Sequence, residues 1–534
     1  MSEITVPVDD AARGSVNGAT APAVSTSRGA APAVGAHPPG EPAPTHDRRW
    51  LALVVVLFAQ LMVVLDGTIV NIAMPSAQAA LHITDADRQW IVTAYTLTFG
   101  GLLLLGGRIA DYVGRKRIFL IGLVGFAGAS ALGGAAQNEA MLFAARAVQG
   151  AFGALLAPAA LSIITVTFTD VKDRAKAFGA FGAISGVGAA IGLVMGGVLT
   201  EFANWRWCLL VNIFIAAIAF AAAVPLVHES KAEGKTRYDV PGALLSTLGL
   251  AALVYGFTEA ATDGWASTTA LVSFSAAAVL LIGFVVLESR VANPLLPLRI
   301  VWNRNRGGSY LTSIILGAGM MGMFLFMTYY FQQTLGYSPL RSGVSYLPFS
   351  GALILTAGLT SAILPRVGPR AVMTVGGLIG TGGMVWLTQL RADSSYPAMI
   401  MPAILMLAVG LGAVFVPLGN TSLTGVSGND AGVASAMVNT TQQVGGSLGV
   451  ALLNTVFTTT FASYVASHHS QGKLDAFFGA IHGYNVAFTV SAVLIGAATL
   501  VTFLLIRRDP QNTLPESEAQ GQPQLQDAAP VHAG

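Results

Sequence analysis

From residue 50 to residue 506 the chain is a succession of apolar runs about 20 residues long, divided by short polar connections. That is the length a helix needs to cross roughly 30 Å of hydrocarbon. Fourteen spans are predicted, at 50–73, 89–107, 118–136, 140–164, 177–200, 207–227, 240–259, 268–287, 309–332, 343–364, 371–390, 397–418, 431–461 and 484–506. The fold class expected is an all-α integral membrane protein. Composition agrees, because only 10% of the 534 residues are charged, against roughly 25% in soluble domains. A soluble enzyme is thereby excluded, and a net charge of +2 gives no basic patch for a nucleic-acid partner.

The placement of Lys and Arg orients the spans, since cytoplasmic connections carry the excess. With the N-terminus inside, inner segments hold 22 basic residues and outer ones five: Arg88, Arg206, Arg341, Arg391 and Lys473. One missed or invented span would exchange the sides of everything downstream, so the division supports an even count with both termini cytoplasmic. Residues 1–47, with seven prolines and five glycines, lack the apolar surface to offset chain entropy and read as a disordered tail. Residues 509–534 read the same way.

The turn Val113-Gly114-Arg115-Lys116 after span two is echoed by Val367-Gly368-Pro369-Arg370 after span ten. Removing spans seven and eight puts both turns between the second and third helices of a six-helix unit, the pattern of a transporter built from parallel repeats. The expected organisation is therefore an N-terminal bundle at 50–227, two inserted helices at 240–287 and a C-terminal bundle at 309–506.

Arg146 remains inside span four, and its intramembrane acidic counterpart is Asp66 in span one. At 1.5 Å per residue both lie about 10–13 Å below the outer surface. Intramembrane charges are costly and face a cavity or a partner. The pair therefore reads either as a proton-titrated carboxylate tuned by a guanidinium or as a structural bridge between two helices. Span five carries Gly188, Gly192 and Gly196 in one row, which permits close backbone approach and fits packing or gating. Gln442 and Gln443 are read as substrate contacts or interhelical bonds. Met323, Met327 and Tyr330 in span nine suit a pocket for varied bulky ligands or plain lipid contact. No GxxxxGK[ST] loop is present, so nucleotide-driven pumping by this chain is not expected. The single cysteine, Cys208, excludes an intrachain disulfide, and no metal site or cofactor is read.

Four segments carry a family resemblance. Leu65-Asp66-Gly67-Thr68-Ile69-Val70-Asn71-Ile72-Ala73-Met74-Pro75 resembles the first-helix signature of drug:proton antiporters with fourteen spans, a branch of the major facilitator superfamily. Gly107 through Arg117 is similar to the superfamily's loop motif, and Arg146-Ala147-Val148-Gln149-Gly150 to its fourth-helix motif. Gly188 through Gly197, followed by Trp205-Arg206-Trp207 and Asn212, resembles the fifth-helix antiporter motif, with Leu193 where that motif usually has proline.

The resemblance implies alternating access, with Asp66 and Arg146 coupling protons to movement. It implies gating by Gly107, Asp111, Gly114, Arg115 and Lys116 at the inner loop and by Gly188, Gly192 and Gly196 in span five. Asn71, Gln149, Met323, Met327, Tyr330, Gln442 and Gln443 are the expected substrate contacts. The implied function is efflux of bulky hydrophobic or cationic drugs or antibiotics from a bacterial cell by a monomer in the lipid bilayer. A peptide or small-molecule symporter and a non-transporting membrane sensor are the alternatives.

Overall fold

The computed structural model describes residues 46–231, 239–291, 294–296, 298–424, 426, 431–468 and 472–507. Both expected tails lie outside the described residues. The described residues are helical, with no strand among them. In the first part of the chain lie α1 (His46–Leu81), α2 (Trp90–Val113), α3 (Arg115–Gly134), α4 (Glu139–Thr167), α5 (Val171–Phe202) and α6 (Trp207–Leu226). The hairpin α7 (Val240–Asp263) and α8 (Thr268–Glu288) follows, and then the short α9 (Leu298–Val301). The last group is α10 (Arg304–Tyr329), α11 (Pro339–Ser345), α12 (Leu347–Val367), α13 (Pro369–Leu387), α14 (Met401–Leu423), α15 (Ala431–Ser467) and α16 (Lys473–Leu505).

Among the described residues thirteen segments are long and apolar enough to cross a membrane, with α11 and α12 together forming one of them. The expected fourteenth is α13, whose 19 residues include Gly376, Gly377, Gly380, Gly382 and Gly383. These glycines dilute its hydropathy while letting it approach α14, as at Gly380, which sits 2.5 Å from the Cβ position of Gly410.

Helix ends follow local chemistry. The side chain of Asn138 accepts from Met141 N to start α4, and Asp170 accepts from Lys172 N and Asp173 N to start α5, occupying donors that the first turn leaves unpaired. Some boundaries differ from the sequence reading. Helix α1 does not stop near Pro75 but continues to Leu81. Three residues before the proline, Ile72 O accepts from Gln332 Nε2 at 2.9 Å, a contact that comes from the second half of the chain. Span ten is broken at Tyr346, whose buried hydroxyl bonds Phe324 O. Helices α15 and α16 extend beyond the expected 461 and 484 toward one another.

The repeat reappears as backbone geometry. Gly114 joins α2 to α3 with φ 130°, and Gly368 joins α12 to α13 with φ 82°. Both lie in the positive-φ region that glycine enters without steric cost.

In the first group α1 packs on α4, α5 and α6, while α2 and α3 pack on α4. In the last group α10 packs on α15 and α16, and α14 packs on α12 and α13. The groups meet where α2 contacts α15 and where α5 contacts α11. Helix α7 lies against both α2 and α15, through a small apolar cluster of Leu97, Val254 and Ala451.

The two ends of the molecule differ. At the end carrying Arg88 one apolar core runs through both groups, joining Ile69, Ile72 and Met74 to Met323, Phe326 and Leu407. At the end carrying Asp111 a second core, around Val56, Phe119 and Phe168, is built mainly from the first group, with Ala436 of α15 packed against it. There the first half of α5 is largely uncovered, and Gly179 and Gly182 have nothing within 4 Å of their Cβ positions. The groups share one core at the Arg88 end, whereas at the Asp111 end they touch along α2 and α15 and leave the first half of α5 largely uncovered.

Candidate functional site

Helix α1 carries Asp66 into the centre of the first group, where its exposure is 0%. Its Oδ2 accepts from Arg146 Nη1 at 2.7 Å. Its Oδ1 accepts from Gln149 Nε2 at 2.8 Å and from Asn212 Nδ2 at 2.7 Å. Ser130 Oγ accepts from both amides, at 3.1 Å in the case of Asn212. The carboxylate is thus held directly by α4 and α6, with α3 joined to the cluster through Ser130, and every donor aimed at it is itself buried.

Arg146 is equally committed. Its Nη1 also donates to Gln149 Oε1 at 2.6 Å, its Nε donates to Ile91 O at 3.0 Å, and its guanidinium lies 4.4 Å from the centre of the Tyr95 ring. Gln149 can bridge acid and base because it follows Arg146 by three residues and so shares its helix face. A cavity of about 10 Å³ adjoins Arg146 on the side of Val70, Ala73, Met74 and Cys208. A single water needs roughly that much room.

The matched depths of Asp66 and Arg146 thus resolve into direct contact. Asn212 is drawn into the same cluster by the turn before α6. Arg206 there lies 4.6 Å over the Trp205 ring and donates to Gly134 O at 3.1 Å, tying the start of α6 to the end of α3. Ser130 was missed by sequence reasoning, since a serine in an apolar run carries no local signal. Gln149, expected among substrate contacts, serves the ion pair instead.

The glycine row stands directly against the Asp66 turn. A methyl group at Gly188 would lie 3.1 Å from Leu61, one at Gly192 2.0 Å from Thr68 Oγ1, and one at Gly196 2.8 Å from Ile69 O. Gly197 continues the contact to the other group, its Cβ position lying 2.6 Å from Leu340 Cα. Helix α5 runs unbroken through Leu193, so the usual proline's replacement leaves a continuous helix in this conformation.

At the Asp111 end the expected ion pair forms, with Arg115 Nη2 2.9 Å from Asp111 Oδ1. It spans one turn, and its further partners Ser162 and Ser230 belong to the same half. It therefore does not bind the two halves together here. Gly107 packs 3.4 Å from Pro158, and Lys116 Nζ donates to Val224 O at 2.7 Å. Glu229, absent from the sequence reading, receives Lys116 N and Arg117 N, each at 3.2 Å, and so caps α3.

The other expected substrate contacts divide. Met323, Met327 and Tyr330 are fully buried in the core shared by both halves and line no opening in this conformation. The reason is that α10 is enclosed by α14, α15 and α16 rather than facing lipid. Asn71 is buried and donates to Gly67 O on its own helix at 3.2 Å. Gln442 and Gln443 are half-buried on α15, with Gln443 Cβ 3.0 Å from the Cβ position of Gly100. Among the described residues no group of three or more His, Cys, Asp or Glu is placed to hold a metal ion.

Comparison with known proteins agrees with this architecture. The model of the Major Facilitator Superfamily matches residues 56–450. The puromycin resistance protein of Streptomyces alboniger is 46% identical over 86% of this chain and 92% of its own length. The cephamycin export protein of Amycolatopsis lactamdurans is 38% identical over 80% and 89% respectively. Among solved structures, a bacterial homologue of the human lysosomal transporter Spinster superposes with a TM-score of 0.60 at 16% identity, covering 88% of this chain and 98% of that one. The chain belongs to the major facilitator superfamily, in the branch that holds the antibiotic resistance and export proteins it resembles.

Proposed function

We propose that this protein exports bulky apolar antibiotics by alternating access and exchanges them for protons at Asp66. The observation that carries the reading is the buried Asp66–Arg146 pair, on the same stretch of α1 whose adjoining face the α5 glycines contact. A buried pair is a weak source of stability but a sensitive one. Protonating Asp66 removes a charge that holds α4 and α6 to α1, and α1 reaches the second half through Gln332. Titration at one buried carboxyl is thereby linked to the fit between the halves.

In this reading the Arg88 end is extracellular, both termini are cytoplasmic, and the conformation described is open to the cytoplasm. The protein works as a monomer in the cell membrane, driven by the proton gradient, without a bound cofactor. The similarity to a puromycin resistance protein makes puromycin the first substrate to assay. In inside-out vesicles loaded with acid, puromycin uptake should follow the pH gradient and collapse with it, and Asp66→Asn should abolish the coupling. Flux in the import direction would favour a symporter, and absence of flux a sensor. Gradient-driven export that survives Asp66→Asn would overturn the role of Asp66.

A further inference from the structure

Arg88 was expected in an ordinary outer connection between spans, yet its exposure is 1%. It lies in the turn between α1 and α2, and its contacts come mostly from the other half. Its Nε donates to Asn454 Oδ1 on α15 at 3.0 Å. Its guanidinium stands 4.3 Å from the Tyr329 ring centre on α10 and 4.6 Å from that of Phe457 on α15. Asn454 returns the contact, donating through Nδ2 to Asp85 O at 2.8 Å and Ala86 O at 3.1 Å. Within its own half the charge has Asp85, 3.3 Å away and 47% exposed.

The geometry points to Arg88 as the gate cation of its end: a charge that the second half binds when that end is shut and that water binds when it is open. Separating the halves strips Arg88 of Asn454, Tyr329 and Phe457 but leaves it Asp85. A guanidinium released into water regains hydration, which an apolar side chain does not. A buried cation held by ring faces and one amide therefore closes the end without sealing it. Replacing such a cation by an apolar group of similar shape favours the closed, desolvated state, whereas removing its partner leaves a buried charge unmatched and favours opening. Two substitutions on opposite sides of one contact should shift the equilibrium in opposite directions. A residue needed only for folding would not do this.

The proposal rests on the alternating-access reading, and the experiment separates the two. Spin labels on cysteines replacing Phe202 and Asp393, both exposed at the Arg88 end, report the separation of the halves by pulsed dipolar spectroscopy in lipid nanodiscs. The native Cys208 is buried and stays out of the labelling. The wild-type protein should show a short and a long distance. Arg88→Met should lower the ratio of long to short by roughly threefold or more, and Asn454→Ala should raise it by a similar factor. Should Arg88→Met fail to fold, the Asn454→Ala shift alone decides. Populations that ignore both substitutions, or that move the same way in both, overturn the role of Arg88. A single distance in the wild type under every pH and ligand condition overturns alternating access itself.

Discussion

Gly343 of α11 presses against the carbonyl of Leu193 on α5, so closely that a methyl group on Gly343 would lie 2.2 Å from that oxygen. This is backbone on backbone across the two halves, at the closed end. Glu201 reinforces it by accepting from Leu340 N at 2.9 Å. Neither carbonyl nor helix can retreat without moving α5 as a whole. Gly343→Ala should therefore push the halves apart at the Arg88 end at a cost of about 1–3 kcal/mol, the range for overpacking. Labelling of a cysteine placed at Leu340 by a membrane-impermeant thiol reagent should speed up, and an unchanged labelling rate would refute the wedge.

Position along α5 should decide the fate of glycine substitutions. Gly192→Ala brings a methyl 2.0 Å from Thr68 Oγ1, two residues from Asp66, while Gly182→Ala meets nothing within 4 Å. The first should cut puromycin export at least tenfold and lower the melting temperature. The second should leave stability equal or raised, because alanine is favoured over glycine in a helix by about 0.8–1 kcal/mol. Export assays and thermal unfolding of the two purified variants would compare them directly.

The ion pair predicts a non-additive cycle. Arg146→Met alone leaves Asp66 buried with two amides and no cation, and Asp66→Asn alone strands the guanidinium. Each should cost about 3–5 kcal/mol. The double variant removes both charges and should be more stable than either single one, as read from thermal unfolding in detergent. Additive losses would show that the two charges do not depend on one another. Neither single variant nor the double one should retain proton-driven export.

Glu229 offers a test of a residue with no local sequence signal. Its carboxylate caps the two exposed N–H groups at the start of α3 and faces Gly114, whose Cβ position lies 2.6 Å from Glu229 Oε1. Glu229→Ala should cost roughly 1 kcal/mol, as the loss of a helix cap does. Gly114→Ala should cost more, because it adds a clash to a φ of 130° that alanine avoids. Protein yield and hydrogen exchange at Lys116 and Arg117 would rank the two.

The succession of helices was legible because apolar runs of about 20 residues mark membrane spans, and charge counting adds an expected parity, since each helix flips the side of all that follows. The depth of Asp66 and Arg146 was legible because helix rise converts sequence distance into height. Azimuth is what a linear reading lacks. Nothing in the apolar run around Ser130 says which way its hydroxyl points, and it became part of the site only through the packing of α3 on α4 and α6. The same blindness left the burial of Met323, Met327 and Tyr330 in this conformation unforeseen, since an apolar residue that faces lipid, pocket or core looks alike in sequence. Arg88 was misread for the opposite reason. Lying between two spans, it had the address of a solvated residue, and only its partners 366 positions away in α15 put it in the interior.

The two turn glycines, Gly114 and Gly368, share a backbone conformation but not surroundings. The first sits among Asp111, Arg115 and Glu229, and the second is followed by Pro369, with no carboxylate close by in sequence. Inside the membrane the same imbalance holds, for the acid and base at mid-helix, Asp66 and Arg146, both belong to the first group. The skeleton is doubled and the ionic chemistry is not. In the proposed cycle the two bundles are therefore unequal partners, one acting as motor and the other as the lever arm it turns against.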